Sequence, residues 1–234
     1  MAVDDLSDNR QTVSFQYSKN GSKVAGAFLR TYPAGATIFE PDSDVSRILF
    51  INNGWALSSK HLSNGTRIVT EFALRGDMLS SVSSALAQET VQAVSTVTGY
   101  EFIGHWSGKG SELSSQLSLI VIVEMMRRQA RMAERLANIG RRDALERTGH
   151  LLLELAIRAG KSPRPNFDGF ECPLKQSDIG DAVGLSTVHI NRVLKDMRVN
   201  GLLSFRNGIV EFLNRNKLAD IVEFDPGYLT NYIS

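Results

Sequence analysis

The side chains with the clearest chemical pattern lie between residues 187 and 195. Thr187, Val188, Asn191, Arg192 and Lys195 recur at helical spacing, so a helix would present them on one side. Arginine at such a position donates to O6 and N7 of guanine, and asparagine pairs with adenine or reaches a phosphate. Short side chains such as Thr187 and Val188 contact the methyl group of thymine. This set predicts recognition of base edges in DNA.

The other side of the same stretch is apolar and predicts the element that holds these side chains. Residues 176–197 form two short helices in this interpretation, with six apolar residues directed into one small core: Ile179, Val183, Leu185, Ile190, Val193 and Leu194. Gly180 suits a close helix crossing, Gly184 a turn with positive φ, and Ser186 the N-cap of the second helix. The pattern is typical of a helix-turn-helix with its recognition helix at 186–198. An ordinary buried helical hairpin is the alternative.

The residues that follow strengthen the DNA-binding interpretation. Two short apolar runs, 202–205 and 209–212, flank Arg206-Asn207-Gly208 and predict a β-hairpin where a winged helix has its wing. Residues 167–173 are a further candidate strand. Polar side chains near helix starts suit phosphate oxygens. The complete predicted DNA-binding set is Gln176, Ser177, Ser186, Thr187, Val188, His189, Asn191, Arg192, Lys195 and Arg206.

The near-zero net charge of the chain limits how strongly this interface can attract DNA phosphates. The chain has 26 Lys and Arg residues against 25 Asp and Glu residues, and from Lys161 to Ser234 nine of each kind balance. Only a local face of the domain is basic. We therefore expect modest non-specific binding, with specificity carried by base contacts and by the geometry of a dimer. An inverted-repeat operator follows from two recognition helices one DNA turn apart.

Other reactive residue types do not converge on a catalytic or metal site. His61 and His105 are isolated, and the serines between residues 80 and 84 have no motif that places a base beside a nucleophile. A solvated loop or a helix start explains these serines. We predict no catalytic residues, no metal site and no enzyme activity. A ligand-sensing module without DNA function is a third class, and the predicted wing argues against it.

The single cysteine, Cys172, excludes an intramolecular disulfide and a cysteine-ligated cluster within one chain. Cys172 is either a buried structural thiol or an oxidation-sensitive one. An oxidation-sensitive thiol needs an electropositive, exposed site, so the environment of Cys172 distinguishes the two alternatives. The N-terminal residues lack the pattern of a signal peptide, and the longest apolar run, 119–123, is too short to cross a bilayer. The expected location is the cytoplasm, without membrane association.

The first half of the chain has the sequence pattern of an antiparallel sheet domain. Short β-type runs alternate with turn residues, and Gly54, Gly65 and Gly76 recur every eleven residues. Asn64-Gly65 is a hairpin signal, and Arg75-Gly76-Asp77 is interpreted as a turn. A small barrel or jelly roll is predicted. The candidate strands are Phe28-Leu29, 37–39, 47–51, 55–57, 67–72, 91–98 and 100–103.

Residues 111–139 contain neither Gly nor Pro and predict one long helix that Gly140 ends, with a second helix at 141–159. Two apolar seams run along the first helix, one for the sheet domain and one for a second copy of the chain. The arginines at 127, 128, 131 and 135 are interpreted as a solvated face. The predicted homodimer contacts are Leu119, Val123, Met126, Ala130, Ala133 and Ala137, and the second seam is Ile122, Met125, Met132, Leu136 and Ile139.

These parts predict an α+β fold in three segments. A polar tail and a β-roll sensor domain occupy residues 1–107, a dimerisation helix residues 108–140, and a winged helix-turn-helix residues 141–234. Residues 160–165, rich in breakers, are the predicted linker.

The order of parts resembles the Crp/Fnr family of bacterial transcription regulators. The resemblance rests on Gly54-Trp55-Ala56, Asn64-Gly65 and Arg75-Gly76-Asp77 in the roll, and on Ile179-Gly180, Val183-Gly184 and the stretch 186–194 in the helix-turn-helix. It implies a cyclic-nucleotide-binding-like jelly roll, a long dimerisation helix, a DNA-binding homodimer and contact with RNA polymerase. It also implies that Thr187, Val188 and Arg192 occupy the base-reading positions.

Departures from the family's pattern reduce the number of ligands and cofactors that this chain could sense. Members that bind cAMP carry a Gly-Glu pair and later an Arg-Ser/Thr pair, whereas this chain has Ser80-Ser81 and, near the later position, Thr90-Val91. No arginine occurs between Gly76 and Trp106, so a buried cyclic phosphate would lack its counter-charge. The N-terminal cysteines of iron–sulfur members are absent. No cofactor is evident, and a small molecule other than cAMP in the roll, or oxidation of Cys172, are the alternative signals.

Overall fold

The computed structural model describes residues 27–41, 46–103, 115–160 and 166–230. Within these ranges the chain divides into two compact units, one up to Met126 and the other from Arg127 onward. The predictions for the N-terminal tail, for His105 and Trp106, and for linker residues 161–165 lie outside the described residues.

The first unit is an antiparallel β-roll, as predicted. Its strands form two sheets with the orders β1-β8-β3-β6 and β2-β7-β4-β5, and every strand pair is antiparallel. Apolar side chains from both sheets, such as Leu49 and Ala56, share one buried core. The elements are β1 (Ala27–Tyr32), β2 (Thr37–Phe39), β3 (Arg47–Asn53), β4 (Ala56–His61), β5 (Arg67–Ala73), β6 (Met78–Ser80), α1 (Ser81–Ala87), β7 (Thr90–Ala93) and β8 (Val97–Ile103).

The two predicted turns are present. Leu62 N–H donates to the carbonyl of Thr66 over 2.9 Å, which closes the β4–β5 hairpin around Asn64-Gly65. Asp77 accepts from the backbone N–H of Leu74 over 2.6 Å and closes the turn that leads into β6. The turn signals therefore located both chain reversals correctly.

The prediction of one strand over residues 91–98 was wrong, because the chain changes sheets there. β7 ends at Ala93 in one sheet and β8 begins at Val97 in the other. Between them, Val94 N–H donates to the Trp55 carbonyl over 2.8 Å, and Ser95 Oγ accepts from Trp55 N–H over 2.9 Å. A Cβ on Gly54, which has φ +92°, would lie 2.2 Å from the carbonyl oxygen of Thr96. Only glycine permits this crossing.

The long helix α2 spans Ser115–Arg141. Residues 111–114 of the predicted helix lie outside the described ranges. The predicted end at Gly140 was wrong: the helix continues through Gly140, and the chain turns at residues 142–143 because Asp143 caps the next helix. Arg131, expected in a solvated face, is buried instead, on the same side of α2 as Glu124 and Asn138 at seven-residue spacing. Among the described helices, none is both long and apolar enough to cross a membrane.

The second unit contains the predicted winged helix-turn-helix. Its small antiparallel sheet has the order β10-β11-β9, and the predicted strand within 167–173 is β9. Apolar side chains of α3 and of the helix pair form its core, among them Leu152, Ile179 and Met197. The elements after α2 are α3 (Ala144–Ala159), β9 (Gly169–Glu171), α4 (Gln176–Val183), α5 (Thr187–Val199), β10 (Leu203–Arg206), β11 (Ile209–Phe212), α6 (Arg215–Ile221) and α7 (Gly227–Thr230).

A buried histidine lies where α2, α3 and α7 meet. His150 Nδ1 accepts from Nδ2 of Asn138 over 3.0 Å, and its ring packs edge-on against Phe224 with 4.8 Å between centroids. Burial, reinforced by the positive charge of Arg142, lowers the pKa of His150 from 6.5 to about 4. The imidazole is therefore neutral in the folded protein at neutral pH.

This histidine makes stability depend on pH. Between pH 6.5 and about 4 the unfolded chain binds a proton at His150 that the folded chain does not. The contribution of neutral His150 to the free energy of unfolding is therefore complete above pH 6.5 and is lost as the pH falls toward 4. We expect the stability difference between wild type and His150→Asn to shrink by about 3 kcal/mol from pH 7 to pH 4. Urea unfolding across this range measures it. His61→Asn, at an exposed site on β4, is the control and should run parallel to wild type. A parallel curve for His150→Asn would contradict the assignment.

Candidate nucleic-acid interface

The helix pair α4–α5 is held by a close crossing at Gly180. A Cβ on Gly180 would lie 2.5 Å from the carbonyl oxygen of Leu185 and 3.3 Å from Cγ1 of Ile190. The turn follows at Gly184, which has φ +71° and donates its N–H to the Gly180 carbonyl. Both glycine predictions are confirmed, since a side chain at Gly180 would force the helices apart.

The back of α5 is buried and its first turn is capped. Ile190, Val193, Leu194 and Met197 are all buried, at the spacing of one helical face. Ser186 Oγ accepts from the backbone N–H of His189 over 3.3 Å, which confirms the predicted N-cap. The packing of these four side chains determines which face of α5 is available to a partner.

The predicted contact residues of α5 all lie on its exposed side. Val188, Arg192 and Lys195 follow one another by four and three residues and lie opposite the buried row. Val188 is 72 % exposed and is thus accessible to an apolar group of a partner. The exposed set is Thr187, Val188, His189, Asn191, Arg192 and Lys195.

Asn191 is oriented by the helix itself. Its Nδ2 donates to the carbonyl oxygen of Thr187 over 3.0 Å. This bond uses one of the two amide hydrogens, so the second hydrogen and Oδ1 remain for a base edge or a phosphate. The bond holds the side chain along the helix, and the amide is thereby positioned before any partner binds.

The start of α4 is less open to a phosphate than the sequence suggested. Gln176 and Ser177 are half-buried. The nearly buried carboxylate of Asp178 accepts from the backbone N–H of Lys175 over 2.9 Å. A phosphate at this helix end would therefore meet a carboxylate already placed on the positive end of the helix dipole. Exposed Lys175 supplies the positive charge at this site.

The wing is a tight hairpin with a basic tip. Asn207 and Gly208 have φ +51° and +73°, as a two-residue turn between β10 and β11 requires. Arg206 is exposed beside this turn, as predicted for a backbone contact. The carbonyl of Gly208 accepts from Cys172 N–H over 2.8 Å, which anchors the tip of the wing to the residue that follows β9.

One ion pair of this domain was missed from the sequence. Arg215 binds Asp168 through Nε, at 2.8 and 3.1 Å from the two carboxylate oxygens, and its guanidinium carbon lies 4.1 Å from the ring centroid of Phe212. The pair joins α6 to the residue that precedes β9 and stabilises the base of the wing. Residues 47 apart carry no local signal that they will meet.

Cys172 is a structural thiol in this fold. It is fully buried, and burial raises the pKa of its thiol to about 12. Redox-sensing cysteines depend on a reactive thiolate in an accessible, electropositive site. The environment of Cys172 therefore gives no support to the oxidation-sensing alternative.

Comparison with known proteins identifies the C-terminal domain and finds relatives for most of the chain. Residues 146–221 match the family model of the Crp-like helix-turn-helix domain. The nitrogen fixation regulation protein FixK of Azorhizobium caulinodans is 25% identical over 177 residues, covering 74% of this chain and 70% of FixK. The fumarate and nitrate reduction regulatory protein of Vibrio cholerae is 24% identical over 196 residues, or 80% of this chain and 75% of its own. Residues 146–221 are therefore a Crp-like helix-turn-helix domain, and most of the chain is similar to regulators of the Crp/Fnr type.

Solved structures of similar fold agree with the architecture of this chain. FixK2 from Bradyrhizobium japonicum superposes with a TM-score of 0.71 at 21% identity, covering 83% of this chain and 96% of FixK2. A CRP-family transcriptional regulator from Thermus thermophilus superposes with a TM-score of 0.66 at 18% identity, over 83% and 96% of the two chains. The relatives are transcription regulators and not enzymes. The part of this chain that matches a family model is the helix-turn-helix domain, residues 146–221.

Proposed function

We propose that the protein regulates transcription as a homodimer on an inverted-repeat operator, with α5 in the major groove. The observation that carries the proposal is the division of α5 into a buried apolar back and an exposed front that bears Arg192. Two such helices in a symmetric dimer would meet half-sites about 34–36 Å apart. The family resemblance adds RNA polymerase as a partner and the cytoplasm as the location.

Arg192 is the proposed base-reading residue. It lies near the centre of the exposed face, where its guanidinium has access to O6 and N7 of guanine. Val188, one turn earlier, is short enough to contact a thymine methyl. His189, Lys195 and Arg206 surround these two and would contact the DNA backbone or flanking edges. Specificity thus rests on few contacts in a domain without net charge.

Replacing Arg192 should remove sequence preference at one position of each half-site. We expect Arg192→Ala to lose about 1–3 kcal/mol of discrimination per half-site against a mutated guanine position. Fluorescence anisotropy at one fixed salt concentration, with the selected operator and its mutated form, measures this loss. Lys195→Ala is the matched control on the same face and should weaken both duplexes by a similar factor. Undiminished selectivity in Arg192→Ala would refute the assignment.

The exposed apolar stripe of α2 supports the homodimer. Both predicted seams are at least partly open to solvent, and the second carries the larger exposed side chains, with Leu136 at 74 % exposure. A row of this kind on one helix, repeated at three and four residues, is typical of a helix that pairs with another helix. The exposed members of the stripe are Leu119, Ile122, Met125, Met126, Met132, Leu136 and Ile139.

A charge in this stripe should separate the subunits. We expect Leu136→Glu to be monomeric at micromolar concentration, because pairing would bury two carboxylates against apolar side chains. Light scattering after size-exclusion chromatography measures the mass. Leu86→Glu, at an equally exposed leucine of α1, is the control and should stay dimeric. A monodisperse wild-type monomer, or a dimeric Leu136→Glu, would contradict an α2 interface.

The interior of the roll argues against cAMP as the signal. Glu71 lies on the same strand face as Ala73, which belongs to the core, and its pairing partner Ser58 is likewise buried. Glu89, next to Thr90, is also buried. Neither side chain can supply positive charge to a cyclic phosphate, and residues 77–103 contribute no arginine that could do so. We propose that the roll of this regulator does not bind cAMP.

Calorimetric titration tests this proposal directly. We expect cAMP at millimolar concentration to give no saturable heat with the wild-type protein, because residues 77–103 supply no arginine to pair with the phosphate. The anisotropy titration with operator DNA should give the same affinity with and without cAMP. Saturable binding in the calorimeter would overturn the proposal.

A further inference from the structure

The corner between α2 and α3 has a defined geometry. Asp143 Oδ1 accepts from the backbone N–H of Glu146 over 2.9 Å, and Glu146 Oε2 accepts from the N–H of Asp143 over 2.7 Å. This capping box starts α3 immediately after Arg142, whose own N–H still donates to the Asn138 carbonyl over 3.1 Å. The two helices are thus joined without a flexible linker.

A buried amide connects α2 with α3 behind this corner. Arg142 Nη1 donates to Oδ1 of Asn138, which turns Nδ2 of Asn138 toward His150 Nδ1. The neutral imidazole accepts this bond with Nδ1, and Nε2 faces the carboxylate of Glu134 at 3.6 Å. Because Asn138 and His150 are almost fully buried, breaking the link would leave polar groups unpaired away from water.

Arg147 extends the connection to the helix-turn-helix. Its Nε donates to the carbonyl oxygen of Arg142 over 2.7 Å, and its Nη1 donates to the carbonyl of Val183 over 3.4 Å. Val183 is the last residue of α4, directly before the turn at Gly184. One guanidinium therefore binds both the α2–α3 corner and the start of the turn that leads into α5.

A small cavity lies between the three helices. The cavity between α2, α3 and α4, which Asn138, Leu151 and Val183 help to line, is only about 10 Å³. Such a volume holds one water molecule at most. In agreement with this packing, α2 from Arg127 onward belongs to the same compact unit as the helix-turn-helix.

We propose that Arg147 and Asn138 are positioning residues that hold the recognition helix at one angle to α2 and so set the half-site spacing of the operator. The inference rests on the proposed dimer through α2. In that dimer the two α2 helices are fixed relative to each other because they pair. Each α5 is fixed relative to its own α2 by the link at the α2–α3 corner. The two links together therefore determine the separation and rotation of the two α5 helices. Neither side chain needs to contact DNA for this role.

Spacing preference is the readout that distinguishes positioning from base contact. Anisotropy is measured with the selected inverted repeat, with duplexes that have one base pair added or removed between half-sites, and with a single half-site. We expect wild type to weaken about tenfold or more when the spacing changes, and Arg147→Met to weaken less than about threefold. Affinity of Arg147→Met for the single half-site should stay within about twofold of wild type.

Two further variants complete the design. Arg215→Met breaks an ion pair of the same domain that does not involve α2, so it should retain the wild-type spacing preference. Asn138→Ala should lose the preference as Arg147→Met does, and it carries the comparison if circular dichroism shows Arg147→Met to be unfolded. If Arg147→Met and Asn138→Ala both keep the wild-type spacing preference, the inference is wrong, while the proposed dimeric binding is unaffected. A wild-type protein that binds the inverted repeat no better than a single half-site overturns the proposed dimeric binding, and the inference with it.

Discussion

The close contact between α4 and α5 at Gly180 is the constraint on which the candidate interface depends. A short helix of thirteen residues has little stability by itself, and α5 is ordered because its apolar row packs against the rest of the domain. In that packing the carbonyl oxygen of Leu185, in the turn before α5, lies only 2.5 Å from the position that a Cβ on Gly180 would occupy. The exposed face follows from this contact, since burying one row of α5 leaves Val188, Arg192 and Lys195 opposite it.

The same logic explains how the proposed DNA interface can form without excess positive charge. Nine basic and nine acidic residues follow position 160, so long-range attraction to phosphates is weak. The structure places Lys175, Arg192, Lys195 and Arg206 on exposed sites, while Asp168 is paired with Arg215 and Asp178 caps α4. Local geometry, and not composition, makes a basic face. Correct placement of the two copies of α5 then matters more for affinity than in a strongly basic protein.

Much of this organisation could be predicted from local patterns. The turn residues Asn64-Gly65 and Asn207-Gly208 located two hairpins, and the apolar spacing from Ile179 to Leu194 located both helices of the helix-turn-helix. These features depend on backbone preferences of neighbouring residues and on periodicity. The errors have two causes. The break at Val94–Thr96 and the burial of Arg131 depend on distant parts of the chain, which no local window contains. The end of α2 just after Gly140 was misplaced for a local reason, since Asp143 caps the next helix.

The sequence by itself determined the order of parts, the face of α5 that carries Arg192, and the lack of arginine in the region where cAMP-binding members have it. Those conclusions need only residue identity and helical or strand periodicity. Tertiary structure alone decided how Asn138, Arg142, His150 and Arg147 meet, because they lie on two helices joined by a corner and contact the end of α4. It also showed that Cys172 is buried, and burial raises the pKa of its thiol, which residue identity alone does not predict. Burial and long-range hydrogen bonds arise only when segments far apart in the chain come together.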